Sequence, residues 1–113
     1  MQHPGSSLPE FQQFHKWLDK EKGFDQDLFT NTVCLQSEVG ELCKEILEYR
    51  WWAETHGPDH PKTKEARAAL GTELADVLAY VLKLANLTDL DLQTVYTEKM
   101  LYNIQRTWAP RRA

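Results

Sequence analysis

Four acidic side chains in two short words are the part of this sequence best suited to chemistry. In Glu38-Val-Gly-Glu41 the carboxylates stand three apart, with Glu45 four further on, and Glu73-Leu-Ala-Asp76 repeats the spacing. At about 100° per residue, helical positions three and four apart share one stripe. Val39, Leu42, Ile46 and Tyr49 fall on the stripe beside the first set, and Leu74, Val77 and Val81 on the stripe beside the second. The acids therefore border a face that should be buried, whereas a merely solvated acidic face points away from it. If the two helices pack through these faces, the pairs converge. Each close pair of like charges then costs about 1–4 kcal/mol at surface-like dielectrics. Lys44 and Lys83 are the nearby fixed counter-charges in the sequence. Either the stripes face different ways, or a cation joins them. Oxygen-only ligands suit a hard ion such as Mg2+, with Mn2+ as a substitute. A single acidic pair at this spacing is usually just solvated; the repetition, each time at an apolar margin, carries the metal reading.

Positioning these groups requires helices, and the rest of the chain reads as helical. There is no period-two alternation and no Asn-Gly or Asp-Gly hairpin turn. A first helix is expected from about Leu8 to Glu21, with Ser7 and Glu10 as a capping box, Phe11, Phe14, Trp17 and Leu18 as its stripe, and Gly23 as its stop. A second, unusually long helix is expected from about Asp27 to Thr55, with Phe29, Val33, Val39, Leu42, Ile46 and Tyr49 spaced for one face, ended by His56-Gly-Pro-Asp-His-Pro61. A third runs from about Lys62 to Ala85 on Leu70, Leu74, Val77, Val81 and Leu84. A fourth runs from about Asp91 to Arg106, packing through Leu92, Val95, Met100, Leu101 and Ile104. Four amphipathic helices on short loops imply an all-α, four-helix bundle-like fold. The expected organisation is one domain over 1–113, with 1–6 and 107–113 as flexible ends.

Composition excludes several classes. A net charge of −4 provides no basic face for nucleic acid or anionic membrane. No apolar run is long enough to span a bilayer, and the first residues lack the build of a signal peptide, so a cytoplasmic protein is expected. Cys34 and Cys43 lie nine positions apart on one helix. Their Cα atoms would be roughly 13 Å apart, too far for a mutual disulfide. They read as reduced, small hydrophobic residues.

With these residues in view, the chain resembles a known family. Glu38-x-x-Glu41 followed by Glu73-x-x-Asp76, in the words Glu-Val-Gly-Glu-Leu and Glu-Leu-Ala-Asp-Val-Leu-Ala-Tyr, resembles the MazG-like all-α nucleotide pyrophosphohydrolases. So does Lys99-x-x-x-Asn103-x-x-Arg106. The likeness covers roughly residues 30 to 106. The stretch between Glu41 and Glu73 is slightly longer than is usual in the family, an excess placed in a His56 to Thr63 loop. The resemblance implies a magnesium-dependent enzyme that hydrolyses (deoxy)nucleoside triphosphates to the monophosphate and pyrophosphate, with a nucleotide-pool-cleaning role. It makes Glu38, Glu41, Glu73 and Asp76 the metal ligands, Lys99 and Arg106 phosphate contacts, and Asn103 a sugar or base contact. Tyr80 would line the nucleoside pocket. It also implies a homodimer, or a tetramer built from such dimers.

In such a site Glu41 or Glu45 could accept the proton of the attacking water, and Lys83, Lys99 and Arg106 could neutralise the leaving pyrophosphate. Trp51, Trp52, Trp17 and Phe24 either pack in the core or a subunit interface or offer faces for a base, and at most one of the adjacent Trp51 and Trp52 can meet ligand. His56 and His60 flank Gly57 and Pro58 and read as a flexible surface loop, and His15 as a partly buried helix residue. A di-iron or di-manganese bundle would need Glu-x-x-His, and no histidine here has an acid three residues before it. A non-catalytic helical dimerisation module would have no reason to set both acidic pairs beside the core. Phosphoribosyl-ATP or another modified nucleotide stays open as a substrate.

Overall fold

A computed structural model describes residues 3–109. All regular structure among them is helical: α1 (Leu8–Lys22), α2 (Leu28–His56), α3 (Pro61–Leu87) and α4 (Leu92–Gln105). The caps follow from the sequence. Ser7 Oγ accepts the Glu10 amide at 3.4 Å and donates to Glu10 Oε1 at 2.8 Å, opening α1. Gly23 closes it at φ 64°, a left-handed cap that glycine adopts without a Cβ clash. Asp27 Oδ2 accepts from both the amide and the hydroxyl of Thr30, opening α2. Pro61 begins α3, where its missing N–H costs nothing, and the His60 ring accepts the Lys62 amide at 3.1 Å. Asp91 precedes α4 without capping its backbone; its carboxylate accepts the Thr94 hydroxyl instead.

The α2–α3 hairpin dominates the packing. α1 lies against α3, and α4 against α1. Two amide side chains lock that last arrangement. Gln12 Nε2 donates to Asn86 Oδ1 and to the Leu90 carbonyl, each at 2.9 Å, and Gln12 Oε1 accepts the Leu92 amide. Asn86 Nδ2 donates back to the Gln12 carbonyl. The turn from α3 into α4 is thereby pinned to α1 by part-buried bonds that use both donors of the Gln12 amide and its oxygen.

The residues separating the acidic pairs do not form a long loop, because α2 continues to His56 and α3 starts at Pro61, leaving only Gly57–His60 between them. The excess is helix. His56 and His60 are not a loose loop either. His56 packs at a tilt against Trp51 and Trp52, and His60 stacks on Trp52, the two rings lying 5.2 Å apart and nearly parallel. The helices also do not close on a common core within one chain. Among the described residues, Ala66, Leu82 and Ala85 are the buried hydrophobic ones. Stripe residues expected inside are largely exposed, including Phe29 at 80% and Ile104 at 79%, with Val33, Leu74, Val95 and Leu101. A long hairpin covers only one side of each helix, and α4 meets little besides α1. The radius of gyration is accordingly 17.5 Å, against about 13 Å for a compact chain of this length. Positions 1–2 and 110–113, at the expected flexible ends, lie outside the described residues, while Trp108 folds back and donates to the Asn103 carbonyl.

Candidate functional site

α2 and α3 run side by side with their acidic words at the same level. Glu38, Glu73 and Asp76 bring carboxylate oxygens within 4.8 Å of one another, a grouping with the spacing to hold a metal ion. Glu73 and Asp76 come from one turn of α3, and Glu38 reaches them from α2. Glu41, one turn on from Glu38, lies outside that trio but close enough for its charge to act on Glu73. Glu45 is a further turn along α2 and half-buried.

The electrostatics are those of a site short of positive charge. Glu73 Oε2 is enclosed and has no hydrogen-bond partner. Desolvation, then the hydrogen bond and charge of Glu38, then the charges of Asp76 and Glu41, hold the Glu73 carboxyl above the usual carboxylate range. An orphaned carboxylate oxygen among like charges is costly. All the donors are hard oxygens, so the residues present fit a cation such as magnesium. No ion pair among the described residues neutralises the cluster: the ion pairs join Arg50 to Glu54, Lys62 to Glu65 and Lys83 to Asp19.

A cleft of about 300 Å³ opens beside the cluster, between α1, the turn after it, and the facing sides of α2 and α3. Its lining includes His15, Asp19, Phe24, Asn31, Cys34, Tyr80 and Lys83. Tyr80 is the link between cleft and carboxylates. Burial first, then the Cys34 thiol, then the charges of Glu38 and Asp76, push its hydroxyl above the ordinary tyrosine range. The helical spacing of Asp76, Tyr80 and Lys83 puts all three on one side of α3. Lys83 is buried and its ammonium stands 3.7 Å from Asp19 Oδ1. Burial, reinforced by Lys83 and opposed by Asp19, lowers the His15 pKa.

The remaining sequence-derived residues lie elsewhere in the single chain. Trp51 is half-exposed at the far end of the hairpin, edge-on to Trp52. It is ten positions, or about 15 Å, along α2 from Glu41. Lys99 lies over the Tyr102 ring, the Asn103 amide faces Met100 Sδ at 3.9 Å, and Arg106 stacks on Trp108 at 3.5 Å. These are local partners at the end of α4, not the carboxylates. Sequence reasoning passed over Asp19 and Asn31. For Asp19 a signal existed: Gln12, His15 and Asp19 follow helical spacing along the margin of the Phe11, Phe14 and Leu18 stripe, as the acids of α2 and α3 do.

Comparison with known proteins accords with this geometry. Residues 26–107 match the family model described as the MazG nucleotide pyrophosphohydrolase domain. The chain is 35% identical over 105 residues to dCTP pyrophosphatase 1 of Rattus norvegicus, and 34% identical over 106 residues to dCTP pyrophosphatase 1 of Mus musculus. Each alignment covers 91% of this chain and 60% of the relative, so the chain spans about three-fifths of the length of the proteins it matches. No solved structure matches it. With the family model covering most of the chain, including both acidic pairs and their helices, the chain belongs to the MazG nucleotide pyrophosphohydrolase family.

Proposed function

We propose that this chain hydrolyses (deoxy)nucleoside triphosphates to the monophosphate and pyrophosphate, with dCTP the first substrate to test, and that it serves to clean a cytoplasmic nucleotide pool. The observation that carries the reading is the meeting of carboxylates from two separate helices, with one buried oxygen left without a partner, one helical turn from residues that line a cleft. Family membership and the two relatives named as dCTP pyrophosphatases support it.

In this reading Glu38, Glu73 and Asp76, with Glu41 beside them, hold Mg2+ (or Mn2+). Bound there, the ion supplies charge neutralisation and Lewis-acid polarisation of the phosphoryl oxygens. The chain's own residues do the rest. Glu41, outside the closest trio, or Glu45 one turn on, takes the proton of the water that attacks the α-phosphorus. Tyr80 separates the charged mouth from the interior of the cleft. His15 and Phe24 offer ring faces to the base. Lys83 was expected on the phosphate side, but its burial against Asp19 makes it a base-side group in this proposal.

Lys99, Asn103, Arg106 and Trp51 have local partners away from the carboxylates in the single chain, and exposed apolar faces run along α2 and α4. We therefore propose a homodimer or tetramer in which these four residues approach the site of a neighbouring copy. The test is pyrophosphate release from a panel of canonical and modified triphosphates, including phosphoribosyl-ATP, with magnesium. Asp76→Asn should abolish release while the protein stays folded. Unchanged turnover in that variant removes the acidic cluster from the mechanism.

A further inference from the structure

The Asp19–Lys83 pair is an odd object to find in a pocket wall. Their side chains are only 8% and 9% exposed, yet the ion pair spans 3.7 Å. That separation is too long for a hydrogen bond. Among the described residues neither side chain makes a hydrogen bond at all. The Lys83 ammonium faces Asp19 and, at 5.6 Å, the Phe24 ring, and its charge also acts on His15. An ion pair this buried, with its remaining donors and lone pairs unused within the chain, adds little to stability, because desolvation offsets much of the attraction. Both residues line the cleft beside the carboxylates.

Position and chemistry give the unused groups a purpose. Lys83 is seven residues beyond Asp76 on α3, about 10 Å along the helix axis. With the phosphates held at the acids, that is the level the base reaches, not the sugar or phosphates. Asp19 also borders the neighbouring hollow towards Asn86 and Leu87, one turn further along α3, so it is the more distal of the two. A carboxylate only accepts hydrogen bonds and an ammonium only donates them.

We propose that the buried Asp19–Lys83 pair is the base-reading end of the cleft, with Asp19 accepting from an exocyclic amine and Lys83 donating to the adjacent ring nitrogen, so that it selects cytosine over uracil. Anchoring the triphosphate fixes the ring's register. Cytosine then offers its N4 amine to Asp19 and the N3 lone pair to Lys83. Uracil in the same register sets its O4 carbonyl against the carboxylate and its N3–H against the ammonium, so both contacts turn repulsive. Bound base would also supply the hydrogen bonds that the pair lacks. The inference rests on the proposal above that the cleft holds the base.

The experiment measures kcat/KM for dCTP and dUTP, with magnesium, in the wild-type chain, in Asp19→Asn and in the double replacement Asp19→Leu with Lys83→Met. The wild type should favour dCTP by at least about 100-fold, since a site built for one hydrogen-bonding pattern strongly rejects its inverse. Asp19→Asn, whose amide can donate to O4, should lower that ratio by at least about tenfold. The double replacement should lose the preference while melting no lower than the wild type, because removing both charges together leaves no orphan. It also serves as the measurement if the single variant does not fold. Variants that hydrolyse dCTP with an unchanged dCTP:dUTP ratio overturn this inference and leave the proposed activity standing, as does a wild type that prefers dUTP. A wild type that releases pyrophosphate from no nucleotide overturns the reading of the cleft and this inference with it.

Discussion

Dilution should weaken this protein. A compact monomer of 13.2 kDa exposes about 6,400 Å² by the usual scaling of surface with mass, whereas this chain exposes 8736 Å². The excess is roughly 2,300 Å² per chain. Two copies covering it in each other would bury an area in the class of obligate dimers, about 2,000–5,000 Å² in total. In such a dimer, folding and association are one equilibrium. Each tenfold dilution should then lower the apparent unfolding free energy by about 1.4 kcal/mol at 25 °C. Urea titrations followed by helix signal, at protein concentrations a decade apart, would read this as a falling midpoint. Sedimentation equilibrium on the same samples should return at least twice the chain mass. The reasoning fails if the midpoint is independent of concentration and the mass is that of one chain. The long apolar faces of α2 and α4 would then be tolerated in water, and the α4 residues would need another route to the site.

Three further outcomes follow from named contacts. Glu73→Gln should raise the melting temperature of the metal-free protein and remove the rise that millimolar magnesium gives the wild type. With a folded pKa above the usual 4.5, Glu73 contributes stability at acid pH that is lost as pH rises through the folded value, so at neutral pH without metal it is a penalty. The opposite sign applies to His15. Its lowered pKa means that the unfolded chain takes up a proton the folded chain resists, so stability is full above the usual 6.5 and falls as pH drops below it. Thermal melts between pH 7 and pH 5 should show this fall, and His15→Asn should flatten it. Gln12→Leu removes three side-chain hydrogen bonds and strands the Leu92 amide. It should cost about 1–3 kcal/mol and speed hydrogen exchange through Leu92–Gln105, where unchanged protection would show the clasp to be idle.

What the amino-acid order determined by itself was local. Ser7, Gly23, Asp27 and Pro61 mark helix ends because capping and φ preferences act within a few residues, and the structure places the ends of α1, α2 and α3 at or within two positions of those expected. The acidic pairs were legible for the same reason: helical periodicity alone puts Glu38 beside Glu41 and Glu73 beside Asp76, each at the margin of an apolar stripe. Tertiary structure decided which groups meet across helices. Only packing could set Glu38 against Glu73 and Asp76, bury Asp19 against Lys83, and carry Lys99 and Arg106 away on α4. An apolar stripe, finally, states that a face wants covering without saying by what. Phe29 and Ile104 fit their helical pattern and yet stand open in a single chain, because water is excluded by whatever surface arrives, within the chain or from outside it.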